Sequence, residues 1–274
     1  MAAAKVSDLH RTAFVSGASA GLGAAFADML LADGVRVWGT ARDAGRLPAR
    51  AGFSPVVLDL SDAAGAEKNF LHAAAAAGGA FDLVIHNAGY GVFGPFVAAD
   101  FGLWQAQIEA MLGATLRLAQ TALRPMLARN RGCLVNVSSL AAEFPLPFMS
   151  GYNTVKAGLS AFSESLILET RGTGVSVIDF RPGDYHTTFN QAMHRLPSAP
   201  DETAARVWRR LEANLRAAPP PARAAADLRR ALLHGRRGTV RSGTFFQARL
   251  APLLARFAPL ALRRAALQAY YGIR

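Results

Sequence analysis

Apolar runs of two lengths alternate along the first two thirds of the chain. The short ones are apolar at successive positions and rich in β-branched residues; the longer ones carry Ala and Leu at helical spacing. Thr12–Val15 is the first short run and stops at Ser16-Gly17. Gly21 to Asp33 then sets Leu22, Phe26, Met29 and Leu30 on one side of a helix. Val35–Thr40 and Pro55–Leu60 follow as strands, Ser61–Ala77 as a helix, and Phe81–His86 as a fourth strand ending at Asn87-Ala88-Gly89. Asp100–Arg129 reads as one long helix, Cys133–Val137 as a fifth strand, Gly151–Thr170 as a helix, and Val175–Phe180 as a sixth strand closed by Pro182-Gly183. Strands apolar on both faces, with helices between them, predict an α/β doubly wound parallel sheet covered on both sides.

From Asn190 the rhythm changes. Glu202–Arg216 and Ala222–His234 read as helices separated by Ala217-Ala218-Pro219-Pro220-Pro221, and Thr239–Arg241 as a short edge strand. Phe245–Tyr271 is apolar, studded with Arg and interrupted by Pro252 and Pro259. Residues 190–274 are expected to form a substrate lid and a helical, Arg-rich C-terminal extension of one domain spanning residues 1–274.

Candidate chemistry begins at the first turn. Ser16-Gly17-Ala18-Ser19-Ala20-Gly21-Leu22-Gly23 lies between a strand and a helix. Glycines let backbone approach a pyrophosphate, and the helix N-terminus favours its charge. The plain alternative is a turn of small residues. At the end of the second strand an acid would hold a ribose 2′-hydroxyl, whereas an Arg accommodates a 2′-phosphate. Arg42 stands there, so the expected cofactor is NADP(H); a solvated loop arginine is the other reading.

The fifth strand ends at Ser138-Ser139, the edge where open α/β sheets place their sites. Tyr152 and Lys156 follow at helical i, i+4 spacing, which sets phenol and ammonium on one face. A Tyr at its ordinary pKa of about 10 is a poor base, and a neighbouring Lys favours the phenolate. A Ser hydroxyl can polarise a carbonyl or steady an alkoxide. Each residue alone has an ordinary structural role. Together, downstream of a cofactor turn, they point to a site.

With these residues in order, the chain resembles the short-chain dehydrogenase/reductase family from about Thr12 to Thr187. The family's glycine motif appears with Ser16 where Thr is usual, its Asn-Asn-Ala-Gly as His86-Asn87-Ala88-Gly89, and its Tyr-x-x-x-Lys as Tyr152 to Lys156. Its Ser is Ser139, and its Pro-Gly followed by Thr is Pro182-Gly183 with Thr187. The resemblance implies a Rossmann fold with strand order 3-2-1-4-5-6-7. It implies Tyr152 as acid/base, Ser139 orienting substrate, and Lys156 binding the nicotinamide ribose and lowering the Tyr pKa. Asp59 would contact adenine, Asn87 would support the cleft and Thr187 would meet the carboxamide. With Arg42, the expected cofactor residues are Gly17, Ser19, Gly21, Leu22, Gly23, Asp59, Leu60, Asn87, Ala88, Gly89, Tyr152, Lys156, Pro182, Gly183 and Thr187. The family usually has an Asn in the long helix, which bends it and holds a relay water; an ungapped placement against Ser139 puts Met111 there. The expected function is hydride transfer between NADP(H) and an apolar carbonyl or alcohol. A catalytically quiet NADP(H)-binding sensor or scaffold, and a membrane- or carrier-docked binding protein, stay open beside it.

The expected substrate wall is Tyr90, Val92, Phe93, Leu140, Phe144, Leu146, Phe148, Met149, Tyr185 and Phe189, fit for a lipid-like, aromatic or acyl-thioester substrate. Glu143, near its mouth, reads as a solvated loop carboxylate. His86, His186 and His194 lack the spacing of a metal site, and no metal is expected.

At 51% hydrophobic and 18% charged, the 274-residue chain can bury a large core and is not a disordered polymer. Cys133 is the one cysteine, which favours a reducing, cytoplasmic setting, and residues 1–11 lack an apolar signal core. The net charge of +11 is unevenly placed: residues 1–189 carry 14 basic and 15 acidic side chains, residues 190–274 carry 16 and 4. The charge is therefore uninformative about the expected chemistry and concerns the extension alone. Its Arg side chains read as a solvated surface, as peripheral contact with an anionic membrane through residues 245–274, or as docking for an acidic carrier. The two prolines weaken the membrane reading by breaking helix interiors. Nucleic acid is not expected, and homo-oligomers are common in the family.

Overall fold

A computed structural model describes residues 4–189, 192–196 and 201–273; Asn190, where the sequence rhythm changes, lies outside them. The strands are β1 (Thr12–Val15), β2 (Arg36–Ala41), β3 (Phe53–Val57), β4 (Leu83–His86), β5 (Val92–Phe93), β6 (Gly132–Val137), β7 (Val175–Pro182), β8 (His194–Arg195) and β9 (Gly238–Ser242). The main sheet runs β3-β2-β1-β4-β6-β7-β9 and every pairing in it is parallel. With the small β5–β8 pair set aside, this is the expected order.

The two-residue period of a strand sorts the core into two layers. Ala13 and Val15 of β1, Leu83 and Ile85 of β4, and Val135 and Val137 of β6 enter one apolar cluster. The intervening Phe14, Val84 and Leu134 enter the other. The first layer is closed by α1 (Gly21–Ala32) through Phe26 and Leu30 and by α7 (Pro221–Leu233) through Ala224 and Leu228. The second is closed by α2 (Ala63–Ala76), α4 (Ala114–Ala128) and α5 (Ser150–Glu169). Phe14 meets Phe70 edge-on at 4.8 Å between centroids, in the range where aromatic pairs gain beyond burial.

Two elements differ from the sequence pattern. The third strand lies at Phe53–Val57, not Pro55–Leu60. Phe53 lies against Gly39, where an added Cβ would be 2.3 Å from Phe53 Cζ; the missing side chain in β2 fixes the register. The expected long helix is divided into α3 (Phe101–Ile108), a π turn at Glu109–Gly113, and α4.

The last third is built into these layers. It holds α6 (Glu202–Ala217), α7, the edge strand β9, a π turn at Phe246–Leu250, α8 (Ala251–Phe257) and α9 (Leu260–Tyr271). Pro221 opens α7, where a missing N–H is harmless. Pro252 lies inside the continuous helical run from Phe245 to Phe257, just after its π turn, whereas Pro259 caps α9 outside the helix interior. Arg229 Nε reaches Asp33 Oδ2 at 2.7 Å, joining α7 to the end of α1. Leu228 is fully buried in the cluster that contains β1. Leu228→Ala is expected to lower unfolding free energy by roughly 3 kcal/mol in urea titration, the range for a buried leucine truncation; a loosely attached α7 would give a change near zero.

Candidate functional site

The carboxyl ends of β1, β2, β4, β6 and β7 open on a cavity of about 1170 Å³. Its floor is tied together by Ser16, at the end of β1. Ser16 Oγ accepts the N–H groups of Asn87 and Ala88 at 2.9 and 3.0 Å, and Asn87 Nδ2 donates to the Ser16 carbonyl at 3.0 Å. The turn after β1 is thereby clamped to the turn after β4. Gly17 has φ +70°, and a Cβ there would stand 2.9 Å from Ala88 Cα. A Cβ on Gly23 would stand 2.1 Å from the Gly17 carbonyl oxygen and 2.5 Å from Asn87 Nδ2. Bare backbone at these positions is what lets helix, turn and neighbouring loop close together.

Every expected cofactor residue except Gly23 lines this cavity. Gly23 acts beneath it, as spacing for the turn. Arg42 lies at the rim just beyond β2, in the same wall as Arg46 and Asp59. Asp59 accepts the backbone N–H and hydroxyl of Ser61 at 2.9 and 2.8 Å. These bonds, with a smaller contribution from the charge of Arg42, hold its carboxyl below the usual range.

Ser139 follows β6, and its Oγ accepts the Ala141 N–H at 3.0 Å. Tyr152 projects into the cavity from the first turn of α5, with Lys156 one turn further on. Burial pushes the Tyr152 phenol up to about 12; the Ser139 hydroxyl acts the other way. Lys156 is buried, and its Nζ donates to the Val137 carbonyl at 2.8 Å and lies 5.6 Å from the Tyr152 ring centre. Burial pulls the ammonium down to about 8, and the carboxylate of Asp179 opposes that pull.

Asp179, fully buried in β7, was not anticipated. It accepts the hydroxyls of Ser138 and Ser160 and the guanidinium of Arg181. Arg181 continues to Glu143 at 2.6 Å and Glu164 at 3.3 Å, and Arg241 Nε reaches the same Glu143 oxygen at 2.8 Å. Glu143 is therefore not a solvated loop carboxylate; two guanidiniums hold it against the sheet.

Met111 occupies the π turn and its sulfur accepts the Tyr90 N–H at 3.4 Å. Gln107 Nε2 donates to the Tyr90 carbonyl at 3.0 Å. Two helix side chains thus satisfy both backbone groups of Tyr90 without an Asn at this point. His86 is buried and bonded to Asn136 at 3.0 Å; burial lowers its pKa to about 4, so it is neutral. Among the described residues no cluster of His, Cys, Asp or Glu has the makings of a metal site.

Tyr90, Leu140, Phe144, Leu146, Met149, Tyr185 and Phe189 line the cavity as expected. Val92, Phe93 and Phe148 are outside that lining: Val92 and Phe93 form β5, and Phe93 packs on Trp208 and Phe148. The missing wall comes from Met193, Leu211, Leu254, Phe257, Leu262, Leu267 and Tyr270. Leu254 and Phe257 share helical spacing visible in the sequence, but their period does not say which side faces a cavity. Asp184 adds a carboxylate to the wall, bonded to Gln247 at 2.7 Å and pushed up by burial.

Residues 11–196 match the short chain dehydrogenase family. A Haemophilus influenzae protein described as a probable NADP-dependent dehydrogenase is 32% identical over 209 residues, 73% of this chain and 81% of that protein. A short-chain dehydrogenase from Streptomyces avermitilis superposes with a TM-score of 0.79 at 26% identity, covering 96% of each chain. A family structure from Burkholderia phymatum in complex with NAD has a TM-score of 0.80 at 22% identity, covering 95% of each chain.

Gly23→Ala is expected to disrupt the Ser16–Asn87 clamp. Two readouts follow: a lower melting temperature, and dinucleotide binding weakened by about tenfold or more in a fluorescence titration, as misplaced positioning groups commonly give.

Proposed function

The chain belongs to the short chain dehydrogenase family of oxidoreductases, and from that premise we propose that it moves a hydride between NADP(H) and the carbonyl or alcohol carbon of an apolar substrate. The observation that carries the reading is the convergence of Ser139, Tyr152 and Lys156 on one cavity with the glycine turn.

The residues fit a dinucleotide. Gly17 and Gly23 let the turn close against Ala88 and Asn87, which leaves its backbone and the start of α1 facing the cavity for a pyrophosphate. Arg42 offers a guanidinium to a 2′-phosphate, and Asp59 a carboxylate to the adenine end. The Haemophilus relative is described as NADP-dependent and the Burkholderia structure holds NAD, so the preference for the phosphorylated form rests on Arg42 alone. When bound, the dinucleotide supplies the hydride for reduction or takes it up in oxidation.

In reduction, Tyr152 Oη donates its proton to the substrate oxygen while the Ser139 hydroxyl holds that oxygen in place. The phenolate left on Tyr152 is favoured by the positive charge of Lys156, which the Val137 carbonyl and Asp179 keep beneath the cavity. In oxidation the proton runs from the alcohol to Tyr152. Apolar side chains along Leu140–Met149 and from α8 and α9 take the rest of the substrate and keep water from it.

Met111 favours a second reading, a catalytically quiet dinucleotide sensor, because a thioether is only a weak acceptor for a relay water. The retention of Ser139, Tyr152 and Lys156 together on one cavity favours catalysis instead. NADPH consumption on a panel of apolar ketones and aldehydes separates the two: turnover by the parent protein supports the reductase, and dinucleotide binding with no turnover supports the sensor.

Tyr152→Phe is expected to lower kcat about a thousandfold, the size of a lost general acid, with NADPH binding preserved. Lys156 is protonated below about pH 8 and loses its charge above it. Reduction should therefore be level below about pH 8 and decline at higher pH, where the phenolate loses its support; a steady-state profile tests the sign. Arg42→Ala should raise KM for NADPH roughly tenfold or more and leave KM for NADH nearly unchanged, the mark of a lost charge-assisted phosphate contact.

A further inference from the structure

The cavity wall built by α8 and α9 also carries a concentrated apolar surface. Among the described residues, Leu253, Leu254, Leu260 and Leu262 are each more than half exposed, and Phe245 and Phe257 expose 72% and 77% of their surface. Single exposed leucines are ordinary, but such side chains crowded into residues 245–262 mark a face that something covers. Leu254, Phe257 and Leu262 are both exposed and cavity-lining, so the face forms the rim of the cavity. Arg249, Arg256 and Arg264 are interleaved with these residues, and no Asp or Glu occurs after Asp227.

We infer that this face docks on an anionic lipid bilayer, and that apolar substrates enter the cavity from the bilayer. The docking stands independently of catalysis; the entry route rests on the reductase reading above. Charge selects the occupant. A second copy of the chain would set Arg against Arg with no acid in the segment to neutralise them. An acidic carrier would neutralise the guanidiniums but leave Phe and Leu against a polar surface. An anionic interface satisfies both, with Arg among the headgroups and Phe and Leu below them. The π turn at Phe246–Leu250 runs directly into α8, with Pro252 inside that continuous helical run, and Pro259 caps α9, so α8 and α9 each bring a short helical face to it. Among the described residues no helix is long and apolar enough to cross a membrane, so the contact is interfacial.

Co-sedimentation of the full chain with phosphatidylcholine vesicles, with and without phosphatidylglycerol, tests this. The parent should bind the anionic vesicles preferentially and detach as salt is raised. Leu253→Ser with Leu260→Ser, and separately Arg256→Glu with Arg264→Glu, lie outside the cavity lining. Each pair should reduce the bound fraction at limiting lipid by about tenfold with an unchanged melting temperature. Equal binding to neutral and anionic vesicles, or variants that bind like the parent, would overturn the docking. So would a parent dimer in sedimentation velocity that the leucine pair dissociates while no vesicle binds. NADPH oxidation with a water-soluble ketone, run on the same proteins, reads catalysis separately. Turnover without vesicle binding overturns the docking alone. Vesicle binding without turnover on any ketone overturns the entry route and leaves the docking standing.

Discussion

Lys156 carries an ammonium group into a place that water scarcely reaches, and much of the site is arranged around that burial. Desolvation pulls its pKa down to about 8, and the opposing influence is the carboxylate of Asp179. Asp179 is itself fully buried, which is tolerable only because two hydroxyls and a guanidinium surround it. The guanidinium of Arg181 then needs acids of its own and finds Glu143 and Glu164. Each buried charge requires the next, and the sequence of pairs runs from the cavity floor to the protein surface.

That chain of charges joins the two halves of the molecule. Glu143 sits in the loop after Ser139 and receives Arg241 from β9, while its backbone carbonyl accepts from Arg263 of α9. The Arg excess of the last third is thus partly structural: Arg229, Arg241 and Arg263 each anchor a C-terminal element to an acid or carbonyl in the first two thirds. Arg237 adds a bond to the Thr173 carbonyl, and Arg206, Arg210, Arg216 and Arg230 find partners within the last third, so the remaining charge is spread over α6 to α9.

Much of the sheet was legible in the sequence because its strands are apolar at successive positions and its turns carry Gly and Pro. The cofactor turn, Ser139, Tyr152 and Lys156 were legible because their chemistry requires fixed spacing on a strand end and a helix. What escaped has a common cause. The register of β3 depends on a ring lying over Gly39 in another strand. The role of Met111 depends on a π turn that no period of 3.6 residues anticipates. Asp179 is the single acid in a mostly apolar strand, and nothing local in the sequence marks Arg181, Ser138 and Ser160 as its partners. Glu143 read as solvated because its partners Arg181 and Arg241 lie far along the chain. Pairings across the fold leave no local trace.

The C-terminal helices extend this point from recognition to dynamics. An amphipathic period tells a helix that one side is apolar, and usually a core takes that side. Here α8 and α9 are short and a single layer thick, so the side chains facing the cavity and those facing outward belong to the same few turns. Tyr271 and Leu267 dock the end of α9 against Trp208 and Leu211 of α6, but between Phe245 and Leu262 none of the residues is fully buried. A segment with few buried apolar contacts opens at low free energy compared with the sheet beneath it. The wall nearest the substrate is therefore the part of the fold best able to yield, while Lys156 and Asp179 sit on strands and a helix that cannot yield without exposing charge. Rigid chemistry and a yielding wall follow from the same division: charges buried in the sheet, apolar side chains left at the rim.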